Sequence, residues 1–160
     1  PSLISQFQVP ELASHFFVFY AAILAGLTPP IATTVAVAAG IAGGDFWGTA
    51  YDSIKISLPL FILPFTFVYH PEILSGTLAV PTLAAGFTAL VGAIAMIHGI
   101  NFRFPYGRVR TYVTRFGFFG IGLVAMVFPE RSVQFGAVAV IAVLLGLHYV
   151  NARTEVALPV

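Results

Sequence analysis

Cysteine is absent from the 160 residues, which excludes disulfide staples, thiolate metal sites and a cysteine nucleophile and removes the usual clue to redox compartment. Charge is scarce: Asp, Glu, Lys and Arg make up 8% of the chain, against about 25% in ordinary soluble domains. Seven basic and six acidic side chains leave a formal charge of +1, too balanced to gather phosphates, so nucleic acid is not an expected partner. There is no Gly-x-Ser-x-Gly, no pair of carboxylates on one helix face, no glycine-rich phosphate loop ending in Lys-Ser or Lys-Thr, and no zinc signature. Nucleophilic catalysis and direct use of ATP therefore find no support, and neither an enzyme nor a cofactor is expected. Nothing near the start resembles a basic region followed by a cleavable apolar core. With Pro at position 1 and methionines only at 96 and 126, the chain reads as a fragment of a longer polypeptide.

What is present is apolar: 59% of residues are hydrophobic. Marking each Asp, Glu, Lys and Arg leaves uncharged stretches at 12–44, 56–71, 73–102, 116–129 and 132–152. A bilayer core of about 30 Å takes about 20 helical residues, so the third and fifth stretches suffice outright. Residues 47–55 can extend the second, and Tyr112 and Val113 the fourth; the alternative for 116–152 is a shallow re-entrant hairpin turning at Pro129-Glu130-Arg131-Ser132. Continuous apolarity favours helices over the alternating pattern of membrane strands. The expected fold class is an all-α polytopic membrane protein with about five transmembrane segments, the first a broken helix. Arg103, Arg108, Arg110 and Arg115 crowd one loop without an acid, which the positive-inside bias places in the cytoplasm. Counting outward, Glu72 and residues 1–11 lie outside, and Asp45 to Lys55 lies inside. The same arginines can alternatively hold an anionic ligand or lipid head groups.

The first stretch has 33 uncharged residues, about 50 Å as a helix, well beyond the hydrocarbon thickness. Gly26-Leu27-Thr28-Pro29-Pro30 lies near its middle. Two consecutive prolines remove two amide donors and push Thr28 out of the α region, so one helix should end before Leu27 and another begin after Pro30. Carbonyls at the end of the first half should lose their partners and need a neighbouring helix, water or a cation. Thr28, Thr33 and Thr34 add hydroxyls beside the break. The alternative is a proline kink whose stray groups are satisfied by threonine back-bonding.

His15-Phe16-Phe17-Val18-Phe19-Tyr20, Gly26-Leu27-Thr28-Pro29-Pro30, Ala38-Ala39-Gly40-Ile41-Ala42-Gly43-Gly44-Asp45 and Pro64-Phe65-Thr66-Phe67-Val68-Tyr69-His70-Pro71 together give residues 10–75 a close resemblance to a known family. They resemble the C-terminal part of the large membrane subunit of tripartite ATP-independent periplasmic (TRAP) transporters, in particular the fused permeases of the TAXI type. The remainder is similar only to that subfamily's less distinctive tail helices. The resemblance implies an ion-driven uptake permease for small carboxylates or amino acids in the cytoplasmic membrane. Its partners would be an extracytoplasmic solute-binding protein, the rest of the permease chain and membrane lipid. It also implies a transport-core part over 1–75 and tail helices over 76–160. By position, Gly26, Thr28, Pro29 and Pro30, with Thr33 and Thr34 beside them, would form half of a midplane ion and substrate site. The coupling ion would be sodium or a proton, with sodium placed at Gly26 and Thr28.

The remaining polar residues have plainer readings. Asp45 is expected as a helix N-cap, and Asp52 and Lys55 as a pair on a solvated face. By resemblance, their amphipathic stretch is a horizontal bracing helix. His15 and His70 are expected as structural residues at the outer interface, and His98 and His148 near opposite ends of apolar helices. Pro59 and Pro64 should kink the second span, with a partial opening beside the broken helix as a further consequence. The rival functional readings are a structural multi-span scaffold without a transport site and, more weakly, an intramembrane enzyme using His15, Asp45 and His70.

Overall fold

A computed structural model describes residues 8–101 and 108–156. Among them all regular structure is helical: α1 Glu11–Ala25, α2 Thr33–Ala42, α3 Phe46–Tyr69, a 3-10 turn Pro71–Leu74, α4 Val80–Asn101, α5 Arg108–Val127 and α6 Arg131–Val156. Three of these, Phe46–Tyr69, Val80–Asn101 and Arg131–Tyr149, are long and apolar enough to cross a membrane. Large apolar side chains face outward throughout; Ile41, Leu78 and Val80 are 84%, 88% and 79% exposed. Water would not tolerate that surface, and hydrocarbon would, so the chain is a membrane protein.

The amphipathic stretch around Trp47, Asp52 and Lys55 forms no helix of its own. It is the opening of α3, which runs unbroken for 24 residues, about 36 Å. Asp45 starts it, its carboxylate accepting from the Gly48 amide at 2.6 Å. Lys55 pairs with Asp52 at 3.8 Å. The preceding helix ends on Gly43 in the left-handed region, φ 62°, where glycine carries no Cβ penalty. Pro59 and Pro64 lie within α3 and deny the carbonyls of Lys55 and Leu60 their usual amide partners. The fourth apolar stretch belongs to a 20-residue helix that begins at Arg108, earlier than its uncharged part.

Helices α3 to α6 run up and down, with α4 touching α3, α5 and α6. The closest pairing is α4 with α5. Its seam follows one face of α4, where Ala85, Thr88, Ala89, Gly92, Ala95, Met96 and Gly99 are buried at helical spacing. Gly92 and Gly122 face each other there. A Cβ on Gly92 would stand 2.6 Å from the Gly122 carbonyl oxygen, and one on Gly122 would stand 2.6 Å from that of Gly92. Small residues let the two backbones touch, the usual source of helix association in lipid. A second cluster, Ala95, Phe118, Ala125, Ala137 and Ile141, brings α6 onto the pair. The half-helices behave differently: among the described residues α1 packs on α3 and the 3-10 turn, and α2 on α3.

Overpacking this seam should separate the helices. Gly92→Ala and Gly122→Ala are each expected to lower stability by about 2 kcal/mol in denaturant titrations of the detergent-solubilised chain. Gly86→Ala and Gly120→Ala, whose added Cβ atoms would meet nothing within 4 Å, should leave the midpoint within about 0.5 kcal/mol of the parent.

Candidate functional site

The chain does break at the double proline. α1 stops at Ala25 and α2 resumes at Thr33. Phe16 and Tyr20 of α1 stack edge-on against Phe67, and Phe17 against Phe65, so α1 lies along the second half of α3. Ala32 and Val35 pack with Ala50 near the start of α3. The break therefore faces the middle of α3, and a groove of about 400 Å³ lies between them, lined by Thr28, Pro29 and Pro30 on one side and Phe61, Pro64 and Phe65 on the other. Pro64 thus borders the break as expected, whereas Pro59 is buried elsewhere in α3.

The carbonyls expected to be freed are not free. Pro29 and Pro30 cannot bond Ala25 and Gly26, the oxygens four residues back, yet both are taken: Ala32 donates to Ala25 at 3.3 Å and Thr34 to Gly26 at 3.1 Å. The Thr28 amide also reaches Ala25, and the Thr28 hydroxyl donates back to Leu24 at 2.8 Å. Later amides fold back over the gap to replace the donors that proline removes. Among the described residues, the loop oxygens left without a hydrogen bond lie further on, at Leu27, Pro29, Pro30 and Ile31. The open main-chain acceptors therefore lie in the loop itself and not at the end of α1, where proline alone would have left them.

The expected site residues do converge. Gly26 sits beneath both later threonines: a Cβ there would be 3.0 Å from Thr34 Oγ1 and 3.8 Å from Thr33 Oγ1. Ala32, fully buried, closes the loop in a left-handed conformation, φ 36° and ψ 39°. A non-glycine residue held there costs about 1–2 kcal/mol, and such strain persists only where the surroundings enforce it.

The histidines fall elsewhere. His15 is exposed, 3.6 Å from Glu11 one turn before it. Asp45 and His70 flank opposite ends of α3, so His15, Asp45 and His70 do not meet. His98 and His148, expected near opposite ends, come together instead, with ring centroids 5.5 Å apart, because α4 and α6 run in the same direction.

His70 anchors a buried polar cluster that sequence reasoning missed. Its ring is 3% exposed. Nε2 lies 2.9 Å from Gln134 Nε2 and 3.0 Å from the Phe128 carbonyl oxygen, while Nδ1 lies 3.4 Å from Glu72 Oε1. Gln134, fully buried, also donates to the Ala125 carbonyl at 3.2 Å, which fixes its amide orientation. His70 Nε2 accepts from the Gln134 amide, which leaves the ring N–H on Nδ1, facing Glu72. Arg131 donates to Glu72 and to the Pro81 carbonyl. The cluster ties together the end of α3, the start of α4 and the turn between α5 and α6. A signal for it existed: Gln134 is an amide inside an apolar stretch.

No family model matches the chain, and no curated protein or solved structure matches it either.

Replacing Gln134 with Leu keeps its approximate volume but leaves the Ala125 carbonyl and His70 Nε2 without their buried donor. Gln134→Leu should cost about 2 kcal/mol of stability by denaturant titration, whereas Ser132→Ala at the exposed turn should change it little.

Proposed function

We propose that this chain is part of a secondary active uptake permease of the cytoplasmic membrane. It would contribute, with the rest of the permease chain, half of an ion and substrate site at the Gly26–Ala32 break. In this reading α1 and α2 together make the first crossing and α5 crosses with its arginines at the cytoplasmic end, giving five segments. An extracytoplasmic solute-binding protein delivers a small carboxylate or amino acid.

The observation that carries the reading is the set of oxygens at the break. The Leu27, Pro29, Pro30 and Ile31 carbonyls accept no hydrogen bond among the described residues, and the Thr33 and Thr34 hydroxyls stand over Gly26. In hydrocarbon, unsatisfied carbonyls are costly, and broken helices are tolerated where a cavity or a bound ion takes them up. No three His, Cys, Asp or Glu gather among the described residues, so the oxygens on offer are neutral, a set suited to a monovalent cation such as sodium. Held on these oxygens, the cation favours whichever conformation brings them together, and coupling follows from that differential affinity.

A scaffold reading has its own observation. The Thr28 back-bond to Leu24 and the recapture of the Ala25 and Gly26 carbonyls are what a self-contained proline kink requires.

The two readings differ at Thr34, whose hydroxyl has no structural hydrogen bond to lose. In the intact permease, Thr34→Val should insert normally yet lower sodium-dependent uptake about tenfold at subsaturating sodium, equivalent to about 1.4 kcal/mol of ion affinity. Gly26→Ala, whose Cβ would displace that hydroxyl, should act in the same direction. Uptake rates and ion dependence identical to the parent in both variants would leave the scaffold reading standing.

A further inference from the structure

The His70 cluster gathers an imidazole, a carboxylate and a guanidinium at one end of the bundle, and no step of the proposed transport uses them. His70 is the buried member, and its Nε2 stands between two groups of opposite kind. The Gln134 amide, 2.9 Å away, is a donor; the Phe128 carbonyl oxygen, 3.0 Å away, is an acceptor. Phe128 follows directly on the last residue of α5, and among the described residues no backbone amide donates to its oxygen. One nitrogen cannot serve both neighbours. With a lone pair it accepts from Gln134 and turns that lone pair on Phe128. With a proton it donates to Phe128 and turns an N–H on the Gln134 amide.

Few charges surround the ring. Glu72 of the 3-10 turn faces Nδ1 at 3.4 Å, and Arg131, at the start of α6, holds the same carboxylate. Glu130 is exposed and accepts from the Ser132 hydroxyl at 2.8 Å. Helix α4 carries no Asp, Glu, Lys or Arg, and its histidine lies at its far end. On α1, Glu11 and His15 are exposed and face each other. His70 itself closes α3, so two helices end at the ring. Helix C-termini favour a positive group there, while Arg131 and the first turn of α6 oppose one.

We infer that this cluster is a proton-operated latch that joins α3 to α6 in one state and to the end of α5 in the other. Neutral His70 ties the end of α3 to α6 through Gln134. When Nε2 takes a proton, the ring becomes a cation beside Glu72, donates to the Phe128 carbonyl and gives up Gln134. Among the described residues Gln134 Oε1 has no hydrogen bond, so only the Ala125 carbonyl then holds that amide. The Glu72–Arg131 pair is present in both states and keeps the carboxylate at Nδ1. None of these residues lines the break, and the latch does not depend on the transport reading.

Two measurements on the full, detergent-solubilised chain test the latch. Nitrogen-15 NMR follows the ring and the amide between about pH 8 and about pH 5, the interval in which histidine side chains change charge. The His70 Nε2 signal should move from the acceptor to the protonated position, and the Gln134 side-chain amide should shift along the same curve. Denaturant titrations supply the second readout. The loss of midpoint caused by Gln134→Leu at the upper pH should fall by about half at the lower, the part owed to the Ala125 carbonyl remaining. In a His70→Gln background the loss should be the same at both. A ring that stays neutral down to the lower pH, an amide signal that does not follow the ring, a Gln134→Leu loss unchanged between the two conditions, or a pH dependence that survives His70→Gln would overturn the assignment. If either variant fails to fold, the NMR curves of the unaltered chain decide.

Discussion

Where water is absent, every amide and carbonyl has to find a partner within the chain, and that requirement organises this molecule from end to end. Inside α3 to α6 the helices meet it themselves. It becomes demanding at three kinds of place: the break at Gly26–Ala32, the turns that join the helices, and the points where proline interrupts α3. Each is met differently. At the break, amides of Ala32 and Thr34 reach back across the gap. At one set of turns, side chains of Gln134 and Arg131 reach the carbonyls of Ala125 and Pro81. These are also the places where the polar residues of an otherwise apolar chain collect.

Much of the architecture was legible because length and charge are strong signals in a membrane chain. The uncharged stretches at 73–102 and 132–152 became α4 and the apolar part of α6, and the double proline interrupted the first stretch where expected. Boundaries were less legible. Asp52, Lys55, Arg110 and Arg115 interrupt the charge-free pattern without interrupting a helix, because a helix extending past the hydrocarbon carries charges at no cost to its backbone. For that reason the amphipathic stretch after Asp45 proved continuous with α3. The buried cluster was hidden for another reason: it is assembled from residues as far apart as 70 and 134, and only their placement on one end of the bundle relates them. The Gly92–Gly122 contact lay in the same blind spot, since several glycines in these stretches look alike until the facing helix is known.

The break itself shows why helix-breaking residues and open coordination sites are not the same thing. Proline deletes a donor, and the acceptor four residues earlier is the natural place to look for a vacancy. Here the chain bends far enough that amides seven and eight positions later fill those vacancies, Ala32 to Ala25 and Thr34 to Gly26. The bend is made at the expense of a left-handed Ala32. Of the loop's own carbonyls only that of Thr28 is met, by Ala32, and those of Leu27, Pro29, Pro30 and Ile31 are left open. One of the four, the Pro29 carbonyl, sits in a peptide unit whose rotation is limited by the fixed φ of Pro30.

The distribution of contacts bears on how such a break could move. Helices α4, α5 and α6 form a closely fitted unit, held by the Gly92–Gly122 approach along its length and by the His70–Gln134 cluster at one end. The half-helices α1 and α2 make none of those contacts; they join the rest through α3 and the 3-10 turn. Any displacement of the break relative to the tail helices is therefore carried by α3 and the 3-10 turn. That helix lacks two of its internal hydrogen bonds, at Pro59 and Pro64, and the second lies directly against the break. A helix interrupted there bends more readily than an intact one. The segment with unsatisfied oxygens thus lies against the interrupted part of α3, while His70, Glu72 and Arg131 tie the end of that helix to the start of α4 and the turn between α5 and α6.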